Sequence, residues 1–437
     1  MNIAFLRHPA YILSAAAVML TITMGIRHSF GLFLPPMSAA NGWGREVFAF
    51  AMAVQNLLWG AAQPFTGMLA DRYGAGKAMA GGTLLYALGL FLMAEAATPG
   101  GLVLSAGVLI GLGLSGTTFT VVLGVVGRAV PPEKRSVALG IAAAVGSFGQ
   151  FAMLPVSLGL MEGFGWSSAL LALALLTALM VPLSASVVER PVAQSGEADV
   201  GVMQALREAA GHRGFWLLCL GFFVCGFHVL FIAIHLPAFL ADRGMPMTVG
   251  TNALALIGLF NIFGTYLAGL AGSRYRKPWL LAAIYLARAV AIAAFITVPL
   301  SVWSVYAFAA AIGFLWLSTV PLTNGTVAVI FGVRNMSMLT GIAFFFHQVG
   351  SFLGGWLGGY LYDRSGSYDL VWLIAIGLGV LAAGLNLPIR EHGMTPGRVA
   401  LGLAGLFAAG FTLVALFLLY RRPGMLSAWL AGLPFCG

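Results

Sequence analysis

The 437 residues are 60% apolar and only 8% charged, with a formal net charge of +9. A water-soluble domain carries about a quarter charged residues, so this composition excludes a water-facing surface over most of the chain and makes lipid its solvent. Three cysteines (Cys219, Cys225, Cys436) exclude a disulfide framework and a cysteine-rich metal cluster.

The apolar runs are long, continuous and rich in Leu, Ala and Gly. That pattern predicts membrane-spanning α-helices, not the alternating segments of about ten residues that build a barrel. The first run, near 10–36, has no small-residue cleavage site and is expected to be retained as a helix. Eleven more are expected near 46–69, 78–97, 101–127, 136–161, 167–188, 213–240, 248–272, 278–298, 303–331, 336–361 and 369–388. The longest polar stretch, Glu189 to Arg213, separates the sixth from the seventh. The expected organisation is an N-terminal six-helix bundle (1–188), a cytoplasmic linker (189–212), a C-terminal six-helix bundle (213–390) and a tail (391–437). Within the tail, residues 399–420 are uncharged and long enough to form an additional hydrophobic helix, but Arg421 and Arg422 follow directly and leave its depth open.

Charge sets the orientation. Fifteen Lys and Arg residues, from Arg7 to Arg398, fall in loops on the side of the N-terminus, against Arg45, Arg243 and Arg364 on the other. The bias predicts a cytoplasmic N-terminus in a plasma or bacterial inner membrane. It also accounts for the basic balance without nucleic acid.

An internal repeat is visible. Gly25-Ile-Arg27 matches Gly226-Phe-His228 at an offset of 201, as do Pro36 with Pro237, Gly140-Ile-Ala with Gly341-Ile-Ala, and Gly149 with Gly350. The stretch from Gly67 to Lys77 matches Gly269 to Lys277 at 202 before a two-residue deletion. Parallel six-helix repeats imply a site at their interface.

With twelve helices in two halves, the motif Gly67-x-x-x-Asp71-Arg72-x-Gly74-x-x-Lys77 resembles the loop signature of the major facilitator superfamily. Gly67 and Gly74 are expected to permit close helix approach, and Asp71 to accept bonds from helix N-terminal amides. The resemblance implies that these residues latch the two halves on the cytoplasmic side. The stretches Gly359-Tyr-Leu-Tyr-Asp363-Arg-Ser-Gly366-Ser-Tyr368 and His347-Gln348-x-Gly350 look like the monocarboxylate and oxalate–formate exchanger branch. That branch implies a cation for the substrate carboxylate on helix 8; here helix 8 carries no charge, and the nearest candidate is Arg288 on helix 9.

None of the 13 acidic residues falls in the middle of a predicted helix, whereas Arg27 and Arg288 do. A lone arginine at mid-membrane costs about 2.5–3.5 kcal/mol on insertion scales, so it faces the protein interior and has a partner. With no buried carboxylate, an anionic substrate is one candidate partner for either guanidinium. Backbone carbonyls or water are the other, since Arg27 lies roughly 14 Å from the end of its helix near Pro36.

Four histidines, His28, His228, His235 and His347, also lie in apolar runs. Histidine is the remaining side chain there that titrates near neutral pH, so His228, His235 and His347 are candidate carriers of a coupling proton. Each can equally be a neutral ring bonded to a backbone carbonyl. The repeat sets His228 opposite Arg27. The neutral polar residues Asn261, Asn324 and Gln348 join His28 and His347 as candidate substrate ligands, while Trp59, Trp316 and Phe344–Phe346 read as packing or lipid anchors. No convergent metal-ligand set and no nucleotide-binding loop is visible, so no cofactor is expected.

The sequence therefore points to a monomeric secondary transporter that moves a small organic anion, a mono- or dicarboxylate, with protons by alternating access. The alternatives are an exporter of drugs or other hydrophobic compounds and a non-transporting membrane sensor or scaffold. An enzyme is not expected, because no nucleophile–base–orienter set is apparent.

Overall fold

The computed structural model describes residues 9–118, 121, 122, 125, 132–185, 187, 198–331 and 336–390. Within them the chain forms α1 (Pro9–Asn41), α2 (Arg45–Tyr73), α3 (Ala75–Ala94) and α4 (Pro99–Thr117). A continuous helical run, Pro132–Ala178, breaks at Gly165, whose φ of +80° no L side chain readily adopts, giving α5 (132–164) and α6 (166–185). There follow α7 (Arg213–Ala241), α8 (Met247–Arg274), α9 (Lys277–Thr297), α10 (Val302–Phe331), α11 (Met336–Ser365) and α12 (Asp369–Asn386).

Length and apolar composition alone qualify nine segments of the described residues as spans, one of which, Val145–Ser184, holds parts of both α5 and α6. The two remaining helices, α2 and α11, are more polar because they face each other: Gln55 and Asn56 on one and His347 and Gln348 on the other are all buried. The fold is an all-α membrane fold of two related six-helix bundles.

Local chemistry sets the helix ends. Thr98 caps α4 by accepting the Gly101 amide, with Pro99 in the first turn, and Ser301 with Ser304 forms a reciprocal capping box at the start of α10. Gly74, at φ +95°, turns the chain from α2 into α3 in one residue. The motif from Gly67 to Lys77 is therefore mostly helix, and neither glycine allows a close approach as expected: a Cβ on Gly67 or Gly74 meets nothing within 4 Å. Of the remaining motif residues, Lys77 is exposed, and the side chains of Asp71 and Arg72 lie outside the described residues.

A helix at Ala198–Gly211, within the stretch expected to be linker, was not anticipated. It turns Ala205 and Ala209 inward and its polar side chains outward, and Trp216 of α7 donates its indole N–H to the carbonyl of Ala210. The predicted helix at 399–420 and the residues beyond it lie outside the described residues.

The repeat has a packing basis. A Cβ on Gly25 would lie 2.5 Å from the Gly149 carbonyl oxygen, and one on Gly149 would lie 2.2 Å from that of Thr21, so α1 and α5 cross backbone to backbone. At an offset of 201, a Cβ on Gly226 would meet the His347 carbonyl and one on Gly350 the Phe223 carbonyl, each at 1.8 Å, and α7 crosses α11 in the same way. Small residues at such crossings replace the hydrophobic driving force that lipid cannot supply. The halves meet through α1 with α7, α2 with α11, and α5 with α8. Gly31 lies under the Ala233 carbonyl, Gly359 against Arg45 and Glu46, and Gly258 against Gln150. Gly350→Ala is expected to lower stability by about 1–3 kcal/mol, the usual range for overpacking, whereas Gly67→Ala leaves it unchanged; denaturant-driven unfolding in mixed micelles measures the difference.

Candidate functional site

Arg27 sits past the middle of α1 and points towards α2. Its Nη2 donates to Asn56 Oδ1 at 2.5 Å, and its guanidinium lies 4.7 Å from the centre of the Trp59 ring. Asn56 is held by a bond from its own amide to the Met52 carbonyl, and the Trp59 indole donates to Thr118 Oγ1 at 2.9 Å. No carboxylate pairs with Arg27 among the described residues, its Nε is buried without a partner, and the side chain as a whole is only half-buried. The charge is thus braced by neutral groups and left with donor capacity.

The site continues into the other half. Trp59 meets Phe344 of α11 edge to face at 5.4 Å; Phe344 lies parallel to His347 at 5.7 Å, and Phe222 of α7 closes on His347 at 4.8 Å. His347 Nδ1 donates to Gln348 Oε1, because an amide oxygen only accepts, which leaves Nε2 buried and unpartnered. Gly60 lets the Gln348 side chain approach α2 closely. Beside Arg27, His28 donates its Nε2 proton across the interface to the Leu254 carbonyl of α8 and meets Trp316 of α10 edge-on at 6.2 Å.

Trp316 marks a break in α10. Helix Val302–Leu315 stops, residues 316–318 are not helical, and a second helix starts at Thr319. Such discontinuous helices expose half-helix ends at mid-membrane and are a feature of transporter binding sites. Arg288 holds this break. Its Nε and Nη2 donate to the Leu315 carbonyl at 3.1 and 2.6 Å, and Nη2 also reaches the Trp316 carbonyl. This is a cation placed at a half-helix C-terminus, where carbonyls lack helical partners. On the other side, Asn261 Oδ1 accepts the Leu317 amide at 3.0 Å and the Thr265 hydroxyl at 3.1 Å.

These positions correct several expectations. Arg288 is 1% exposed; its Nε and Nη2 are spent on main-chain oxygens beneath α10, while its Nη1 is buried without a partner. Asn261 is likewise occupied by the break. His228 does not face Arg27: its Nε2 donates to the Ala375 carbonyl of α12 at 2.7 Å, inside the C-terminal bundle. Asn324, half-buried on the second half of α10, makes no side-chain hydrogen bond among the described residues. His235 lies farther along α7 and belongs to a separate cluster. The structure brings Arg27, His28, His347 and Gln348 together and adds Asn56, Trp59, Trp316 and Phe344, three of which had read as packing or lipid anchors. The sequence does carry a signal for them: Asn56 and Trp59 are three residues apart on the polar helix α2, one turn that aligns both beneath a cation from α1.

The two arginines differ measurably. Arg288→Ala strips donors from two buried carbonyls and is expected to cost roughly 2–4 kcal/mol. Arg27→Ala, which releases only a neutral amide and an aromatic face, is expected to cost under about 1 kcal/mol. SDS-driven unfolding in mixed micelles compares them.

Comparison with known proteins agrees with this architecture. The chain is 28% identical to monocarboxylate transporter 11 of Mus musculus over 83% of this chain and 83% of that protein. It is 23% identical to the oxalate:formate antiporter of Oxalobacter formigenes over 80% and 84% of the two chains. Among solved structures it matches a bacterial homologue of the human lysosomal transporter Spinster in an inward-facing, occupied conformation, with a TM-score of 0.66, 17% identity and coverage of 94% of this chain and 98% of the other. Residues 12–355 match the Major Facilitator Superfamily profile, and this chain, a multi-pass membrane transporter and not an enzyme, belongs to that family.

Proposed function

We propose that the transporter carries a small organic anion, a mono- or dicarboxylate, together with protons, by rocking of its two halves about the site at Arg27. The observation that carries this reading is a guanidinium at the junction of the halves whose partners among the described residues are all neutral. A carboxylate is the ligand that such a group lacks: a planar guanidinium grips it with two parallel, charge-assisted bonds. Trp59, Phe344 and Trp316 supply flat apolar walls for the rest of a small organic molecule. The names of the relatives, a monocarboxylate transporter and an oxalate:formate antiporter, support the same substrate class.

The charge bias of the loops supports a plasma-membrane protein with its N-terminus in the cytoplasm. In that orientation the end carrying the α1–α2, α7–α8 and α11–α12 loops faces outward, and the motif from Gly67 to Lys77 lies at the opposite end, where it closes the halves when the outer end opens. The histidines within the spans are the groups available to bind a coupling proton.

In proteoliposomes, Arg27→Gln is expected to reduce carboxylate uptake about 10–100-fold, the loss of one or two charge-assisted bonds, with Arg27→Lys intermediate because it keeps the charge without the fork. Uptake by Arg27→Gln at the wild-type rate would remove the site. A protonophore is expected to abolish the acceleration produced by an imposed proton gradient; equal rates with and without it would exclude proton coupling.

A further inference from the structure

At the predicted outer end, one residue ties the halves together several times over. Arg45, the first residue of α2, forms a salt bridge with Asp242 at the end of α7, using both terminal nitrogens. It lies over the Tyr362 ring at 3.9 Å and donates from Nη1 to the Tyr368 hydroxyl at 3.0 Å. Asp363 of α11 caps α2 from the opposite half, accepting the Arg45 and Glu46 amides at 2.9 and 2.8 Å, an approach that Gly44 leaves room for. Glu46 in turn accepts the Trp356 indole proton at 2.9 Å.

A buried titratable group is wired to this cluster. His235 of α7 sits with Nε2 2.8 Å from the Gly355 carbonyl and Nδ1 3.0 Å from the Tyr368 hydroxyl. A carbonyl only accepts, so the neutral ring carries its proton on Nε2 and Nδ1 accepts from Tyr368. The chain of bonds then has one direction: Arg45 donates to Tyr368, Tyr368 donates to His235, and His235 donates to Gly355. Every polar atom of the ring is satisfied only while the ring is neutral.

We propose that His235 is the binding site of the coupling proton and that its protonation releases the Arg45 latch; this rests on the proton-coupled reading above. A proton on Nδ1 turns that atom into a donor facing the Tyr368 hydroxyl. The hydroxyl must swing its own proton away, and its oxygen is then shared between two cations, Arg45 and His235. The titratable and charged groups around this end are Arg45 and Glu46 of α2, Asp242 and Arg243 just after α7, Tyr360, Tyr362, Asp363 and Arg364 of α11, and Tyr368 and Asp369 at the start of α12. Arg45 is the cation that faces the ring through Tyr368, and Asp242 and Asp363 hold it there, so the cost of the added proton falls on the bonds of Arg45. An acidic exterior therefore opens the outer end, and the opened site is the one that receives substrate with the proton.

The test is a distance measured between spin labels on Glu162→Cys and Val302→Cys, two exposed outer positions in opposite halves, in nanodiscs with Cys436→Ser to remove the tail thiol. Lowering the pH from about 8 to about 4, through and below the ordinary histidine range, is expected to raise the long-distance population several-fold in the otherwise wild-type chain. His235→Gln, which keeps a donor for Gly355 and an acceptor for Tyr368 but cannot be charged, is expected to stay closed at both pH values. Tyr368→Phe, which breaks the chain by a second route if His235→Gln fails to fold, is expected to lose most of the shift, and His228→Gln to keep it. A pH-independent distance in the parent, or a full shift in His235→Gln or Tyr368→Phe, overturns the proposal. Persistent Arg27-dependent uptake alongside that result leaves the anion reading standing, whereas a normal pH shift without anion uptake sinks only the substrate.

Discussion

A positive charge in a medium of low polarity must be answered by something, and the way Arg27 is answered organises the rest of the molecule. Its two visible partners, the Asn56 amide oxygen and the face of Trp59, are both neutral. They orient the guanidinium and offset part of its desolvation without cancelling the charge. Arg288 is answered differently in the same protein: its Nε and Nη2 are spent on two carbonyls, and its Nη1 is left buried without a partner. One cation meets neutral side chains at the junction of the halves and the other binds main chain inside one bundle, although both residues look alike as isolated charges in apolar runs.

The placement of polar groups follows a single economy. In lipid, every backbone group freed from its helix needs a new partner. The break in α10 frees the Leu315 and Trp316 carbonyls and the Leu317 amide, and Arg288 and Asn261 take them up. This lets Trp316 leave the helical path and meet His28 of the other half. Backbone crossings at Gly25, Gly149, Gly226 and Gly350 keep each bundle stiff. The contacts between bundles combine helix crossings with a polar cluster of Arg45, Asp242 and Asp363 at the predicted outer end. Charge-based contacts between stiff bodies suit alternating access, because ion pairs at a solvated rim are individually weak and separable.

Much of the fold was legible because lipid imposes a coarse grammar on sequence. Long apolar runs, the offset of 201 and the polar stretch near residue 200 are enough to place twelve helices in two related halves. Points where backbone geometry decides were harder to read. The split of α10 falls inside a run that passes as a single span, with Ser318, Thr319 and Pro321 at the break as its local signs, and Gly165 is one glycine among 58. The motif from Gly67 to Lys77 reads as a loop from its glycines and charges, yet only Gly74 turns. For the site, the sequence identified the cations and histidines but not their directions. Helical position fixes which way a side chain leaves its helix, not which neighbour it finds, so His228 meets α12 while its repeat partner Arg27 meets α2. Arg45, counted at first as one exception to the charge bias, is instead the hub of contact between the halves. Its partners Asp242 and Tyr368 are far away in the chain and carry no local motif.

The claim that an unneutralised guanidinium waits for a carboxylate is tested most directly by equilibrium binding to the purified protein. Titration calorimetry with a panel of mono- and dicarboxylates and their uncharged amide analogues isolates the charge from shape. Saturable binding of at least one carboxylate, absent for its amide and absent in Arg27→Gln, is the predicted result. Equal binding of acid and amide, or carboxylate binding undiminished by Arg27→Gln, would contradict the account at its centre.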